Sequence, residues 1–268
     1  MALIERLGEQ LPLPDAPNRV NPYALELDSF EVLEATRYLV ATEKPLIDKT
    51  TNPEIDDGIN SFAVYFIDGA HPSAVASRAI EGRVFQEKWE YTPEETEEEA
   101  TQYESNSAFF LVVDTTDSEK PRPAVSLRVA DCLRGSSATV EYFKEINHDG
   151  GEMPPELRVS LEDVEHQLWD IVSVMAPNEY RNGSVSVWVY HALYKKSLEL
   201  GIGRWISSIV DKEFANLSAI GIPFKPVTGI PEAQLCLSRA NKKLRFGFYS
   251  AQVDDIHDAV NKIGRAHV

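Results

Sequence analysis

Cysteine is nearly absent from this chain of 268 residues, with Cys132 and Cys236 the only two. Two thiols build no disulfide framework, and their spacing matches no metal-ligand pattern, so two buried thiols in a reducing cytosol are expected. Long apolar runs are missing too. No uninterrupted stretch approaches the roughly 20 residues that span a bilayer, and the N-terminus lacks a charged region followed by an apolar run, so no membrane partner and no secretory signal are expected. Basic residues are in deficit: 26 Lys and Arg stand against 43 Asp and Glu, a net charge of -17. That balance disfavours nucleic acid and anionic membrane surfaces as partners. Gly-x-Ser-x-Gly elbows and Walker-type loops are lacking. His71, His148, His166, His191 and His257 are scattered without ligand spacing, so no metal is expected. A cytoplasmic location follows from these absences.

What is present is an ordinary globular composition, 43% hydrophobic and 26% charged. Pro12, Pro14, Pro17 and Pro22 predict an extended arm over residues 1–26. Asp28 with Glu31 reads as a capping box for a helix to about Thr42, with Phe30, Leu33 and Tyr38 as its apolar side. Residues 43–60 are polar and turn-rich, which makes 1–60 an N-terminal extension with one helix. Residues 61–67 read as a buried strand, and 72–89 as a helix with Val75, Ile80, Phe85 and Trp89 toward the core. Thr92, Pro93 and Glu95 mark a helix start, and the glutamates from Glu94 to Glu99 read as its solvated face. Strands at 108–113 and 124–129 form a hairpin candidate. An irregular stretch over 131–158 carries one short helix near Tyr142, and Ser160 with Asp163 reads as the cap of another. The last six residues, Ile263 to Val268, look like a translated sequencing adapter, so 263–268 is expected to be a non-native tail.

The most informative stretch runs from Trp169 to Ser186. It reads as a buried strand over 169–176, a turn, and a helix. A strand that delivers a turn to a helix N-terminus makes an anion site, because the first amides of a helix lack internal partners and the dipole favours negative charge there. Arg181 and Asn182 sit where such a turn needs them. Val185, Trp188, Val189, Ala192 and Leu193 fit a helical stripe that stops at Gly201, although 185–190 also alternates with period two. The remainder reads as a strand at 205–210, a helix from Asp211 to Gly221, and strands near 234–237 and 244–249.

This order of elements resembles the GNAT (acyl-CoA N-acyltransferase) fold, which implies an α+β architecture with a mixed, mostly antiparallel central sheet over residues 61–262. The family's pyrophosphate cradle, Arg/Gln-x-x-Gly-x-Gly/Ala after a strand ending near proline, is similar to Pro177-Asn-Glu-Tyr-Arg181-Asn-Gly-Ser184-Val-Ser186, with serines where glycines are usual. The resemblance implies a cofactor held by Val174, Met175, Arg181, Asn182, Gly183, Ser184 and Ser186. A narrower likeness is to the acyl-homoserine-lactone synthase branch. It rests on Arg83-Val-Phe85 with Trp89, on Ser126-Leu-Arg128, on Trp169-Asp170 and on Gly221-Ile-Pro-Phe-Lys-Pro226. Ser173 stands where the branch has an arginine. By that likeness Arg83, Phe85, Trp89 and Arg128 contact substrate, although Arg83 and Arg128 would be merely structural if paired with the acidic helix at 94–99.

The implied reaction moves an acyl group from an acyl-CoA or carrier thioester to the amine of a small molecule. A neutral amine needs a proton acceptor, and Asp170 is the first candidate, with Glu165 and His166 second. The alternative for Asp170 is a structural carboxylate bonding a neighbouring backbone or Arg128. For the leaving thiolate's proton no residue stands out; Tyr249 and Cys236 are the candidates, and both also read as core residues. An anionic acyl carrier protein ranks below CoA as donor because this chain is itself acidic. A non-catalytic ligand- or partner-binding module on the same scaffold is the competing expectation.

Overall fold

A computed structural model describes residues 20–50, 61–135, 137–147, 151–158, 167–181, 185–219, 221–227, 229–230, 233–237 and 242–256. Its elements are α1 (Phe30–Thr42), β1 (Ile47–Thr50), β2 (Ser61–Asp68), α2 (Ala74–Trp89), α3 (Pro93–Thr101), β3 (Ser107–Asp114), β4 (Arg122–Asp131), α4 (Ala138–Ile146), β5 (Leu168–Met175), α5 (Val185–Leu200), β6 (Arg204–Val210), α6 (Asp211–Ala219), β7 (Lys225–Pro226), β8 (Ala233–Leu237) and β9 (Lys242–Gln252). The class is α+β, with mostly antiparallel pairing and helices flanking the strands. The chain forms two compact units. The first holds residues 1–128 and 173–192, and the second holds 129–172 and 193–268.

In the first unit β2 lies antiparallel between β1 and β3, and β4 follows β3. The register sets Ala63 opposite Val113, Tyr65 opposite Leu111 and Ile67 opposite Phe109. Residues two apart share a face, so these six build one apolar surface against Val32 and Leu39 of α1 and Ala76, Ile80 and Val84 of α2. The intervening Phe62, Val64, Phe110 and Val112 are also buried, and Phe62 meets Trp188 of α5 at 6.2 Å between ring centres. A strand buried on both faces reads as a continuous apolar run, as residues 61–67 and 108–113 do.

The N-terminal helix departs from its expected start by one residue. Ser29, rather than Asp28, caps α1 by accepting from the Val32 amide, and the core side is Val32, Ala35, Thr36 and Leu39. Phe30, read as apolar-facing, is 61% exposed, and Leu33 and Tyr38 are only partly buried, because the helix turns the face of Val32 and Leu39 to the core. Residues 1–19 of the expected arm lie outside the described residues. Its end is a 3₁₀ turn, Pro22–Ala24, capped by Asn21. That turn presses on α2 so closely that a Cβ at Gly82 would stand 2.0 Å from the Tyr23 carbonyl oxygen. Glycine is therefore required where the two backbones meet. The capping box of α3 forms as read, with Thr92 and Glu95 each satisfying the other's amide.

In the second unit β5 runs parallel to β6, β6 is antiparallel to β9, and β9 also pairs with β7 and β8. Its core gathers Cys132, Phe143, Leu157, Leu168, Ile206, Val227, Phe246 and Phe248. The helical reading of 185–200 holds, and Gly201 ends α5 with a positive φ of 73° that glycine adopts without strain. The proposed cap at Ser160 and Asp163 lies outside the described residues, as does the tail at 263–268.

Candidate functional site

β5 ends at Met175, whose side chain joins the first unit's core, while Val174 beside it is half-buried. The next residues form a 3₁₀ turn, Asn178–Tyr180, closed by the Tyr180 amide donating to the Pro177 carbonyl at 2.9 Å. α5 begins at Val185. The stretch is thus strand, turn and helix, and not a continuous ribbon. Asn182, Gly183 and Ser184 lie outside the described residues, and of Ser186 only its place in the first turn of α5 is described.

Arg181 follows the turn, and its guanidinium is held from three sides. Nε donates to the Ala176 carbonyl at 2.9 Å, one terminal nitrogen donates to the Asn178 side-chain oxygen, and the other reaches Glu87 at 3.4 Å. Arg83, one helical turn before Glu87, pairs with it at 2.9 Å and with Glu179 through both terminal nitrogens, at 2.9 and 3.2 Å. Arg83, expected on substrate, is therefore engaged by two carboxylates. Among the described residues its ion pairs are with Glu87 and Glu179 and not with the acidic helix at 94–99. Phe85 and Trp89 pack against the core and on one another, with ring centres 4.9 Å apart, and Phe85 also stacks on Tyr91.

Arg128 is buried in a polar cluster that sequence reasoning did not assemble. Its guanidinium takes both oxygens of Glu81, at 3.1 and 2.7 Å, and donates to the Tyr23 hydroxyl at 2.6 Å and to Glu104 at 3.1 Å. Arg78 holds Glu104 from the other side at 2.5 Å, and Ser173 donates to Glu81 at 2.5 Å. Burial opposes the charge on Arg128, but Glu81, Tyr23 and Glu104 raise its pKa. Burial also acts to raise Glu104, yet the facing Arg128 and Arg78 more than offset it and hold that carboxyl at about 2. The Tyr23 phenol is pushed well above its usual range by burial. With 1% of its surface exposed, Arg128 offers no free face to a substrate in this arrangement. The missed signal lies in α2, where Arg78 and Glu81 interrupt a run of small and apolar residues. A charge within such a stripe needs a buried partner.

Asp170, in the second unit, is fully buried. It accepts from the Ser137 hydroxyl, the Thr139 amide and the Thr139 hydroxyl, each at 2.6 Å. Burial raises its pKa and these hydrogen bonds oppose the rise. The arrangement anchors the start of α4, whose cap is Ser137, and corrects the expectation of a base open to an amine. Glu165 and His166 lie outside the described residues. Tyr249 is buried on the same unit, stacked on Phe214 at 4.3 Å. Among the described residues no group of three or more His, Cys, Asp or Glu is arranged to hold a metal ion, and no helix is long and apolar enough to cross a membrane.

No family model and no curated protein sequence matches this chain. Solved structures resemble it. The AHL synthase LasI aligns over 75% of this chain and 95% of its own, at 15% identity and a TM-score of 0.50. FeeM, an N-acyl amino acid synthase from uncultured soil microbes, aligns over 76% of this chain and 98% of its own, at 12% identity and a TM-score of 0.47. BjaI, a CoA-dependent acyl-homoserine lactone synthase solved with SAM and isopentyl-CoA, aligns over 59% of this chain at 14% identity and a TM-score of 0.43; the match spans 65% of that chain's length.

Proposed function

We propose, from the GNAT fold that this chain has, that it is an N-acyltransferase moving an acyl group from an acyl-CoA thioester to the amine of a small molecule in the cytoplasm. The observation that carries the reading is the β5–turn–α5 unit with Arg181 on its turn. Acyl-CoA is polyanionic, and a helix N-terminus beside a guanidinium suits its phosphates. In this reading Arg181 meets a phosphate, and the segment Asn182, Gly183, Ser184 and Ser186 supplies amides and hydroxyls around it. Backbone groups at Val174 and Met175 flank the pantetheine arm.

The amine attacks the thioester carbonyl, the C–N bond forms as the C–S bond breaks, and the amine proton passes to water or to Glu165. The thiolate is reprotonated from water or by Tyr249. Asp170 contributes by fixing α4 and takes no proton. LasI is an AHL synthase, which supports an acyl chain as the group transferred and leaves the acceptor to be found by experiment. Calorimetry with CoA and a medium-chain acyl-CoA tests the reading. Binding in the micromolar range is expected, and no heat at millimolar ligand would exclude it.

The second reading, a module that binds without turnover, is favoured by the closure of Asp170. Release of free thiol from acyl-CoA in the presence of candidate amines separates the two.

A further inference from the structure

We infer that Arg83, Glu87 and Glu179 are positioning residues for Arg181, and that Arg83 does not contact substrate. This rests on the acyl-CoA reading. The four side chains form an alternating ring: Glu179 to Arg83, Arg83 to Glu87, Glu87 to Arg181, with the backbone between 179 and 181 closing it. Arg83 and Glu87 stand one turn apart on α2, where residues i and i+4 are neighbours. Arg83 grips Glu179 with both terminal nitrogens, the geometry that fixes a carboxylate in orientation as well as distance. A packed helix thus holds both ends of the segment that carries Arg181.

The consequence is seen in the hydrogen-bond capacity of Arg181. A guanidinium has five N–H donors, and three are directed to Ala176, Asn178 and Glu87. Among the described residues one N–H on each terminal nitrogen is left over, on a side chain 29% exposed. Two donors aimed by three fixed contacts are prepared for a phosphate before it arrives, so less ordering is required on binding. Among the described residues Arg83 sits between two carboxylates, whereas Arg181 meets one, at its longest contact. The N–H donors open to a ligand are therefore on Arg181.

Removal of a carboxylate distinguishes positioning from bare electrostatics, because the two have opposite signs. Glu179→Gln and Glu87→Gln remove negative charge near the anion, so charge alone would tighten CoA binding. Positioning predicts weakening, by about 3- to 10-fold in Kd, of the order of couplings within one ion-pair network. Calorimetry of CoA binding is run on the wild type, Glu179→Gln, Arg83→Gln, Arg83→Lys and the Arg83→Gln/Glu179→Gln double variant. Thermal midpoints within a degree or two of wild type are expected, since all these side chains are partly exposed.

The double variant should bind no more weakly than either single one, and Arg83→Lys should recover part of the loss. If wild type binds and Glu179→Gln binds equally well or better, positioning is overturned while the acyl-CoA reading stands. Additive losses in the double variant, with Arg83→Gln far the larger single effect, would also overturn it and return Arg83 to the substrate. Failure of the wild type to bind CoA at all removes the acyl-CoA reading and this inference with it.

Discussion

Helix α2 carries two ion-pair systems, one on each side, and they differ in nearly everything except charge. Inward, Arg78 and Glu81 join Arg128, Glu104 and Tyr23 in a cluster whose arginines are at most 5% exposed. Outward, Arg83 and Glu87 join Glu179 and Arg181, each between about a quarter and a half exposed. Both systems balance two positive against two negative side chains. The inner one has already met the desolvation cost and depends on every partner being present. The outer one is screened by water and contributes little to stability, so it is free to serve geometry. A functional role is therefore sought outside, and a structural role inside.

The largest effect that tests this contrast is the loss of Glu81. Glu81→Ala leaves Arg128 charged, buried and without its two-oxygen partner, and costs about 3–5 kcal/mol of folding stability. Urea denaturation reads it directly. A cost below about 1 kcal/mol would mean that water enters the cluster freely and that the inner system is no different from the outer.

A smaller effect comes from acid. The Glu104 carboxyl lies at about 2 in the folded protein, against an ordinary value of 4.5. Between those values the unfolded chain binds the proton and the folded chain resists it. The stability this gives is complete above about pH 4.5 and is lost as pH falls toward 2. With its side chain 26% exposed, solvent screening reduces the contribution to on the order of 2 kcal/mol. Stability measured from pH 6 to 2 should fall less steeply in Glu104→Gln than in wild type. Parallel curves would show that Glu104 is not held by Arg78 and Arg128.

The sequence made the local parts of this molecule legible and the distant parts obscure. The capping box at Thr92 and Glu95, the stripe from Val185 to Leu193 and the stop at Gly201 each depend on residues within a turn or two. Period and composition reveal such features because the physics is local. Arg128 was visible as an arginine in a buried strand, but its partner Glu81 is 47 residues away and Tyr23 is 105 away. Asp170 meets Ser137 and Thr139 at separations of 33 and 31. A single sequence carries no record of which charges meet across such distances. Buried charges in a fold of unknown detail thus look alike whether they do chemistry or hold a helix in place.

The smallest expected effect is the most decisive for the outer system. Arg83→Gln breaks contacts to Glu87 and Glu179, yet those pairs are exposed and hydrated. The folding stability should change by less than about 1 kcal/mol, in either direction. If denaturation instead shows a loss near that of Glu81→Ala, the ring is part of the structural core of α2. Any weakening of CoA binding in the same variant would then report general loosening of the helix. Stability retained together with weakened binding is the pair of results that assigns the inner side of α2 to folding and the outer side to the anion-binding turn.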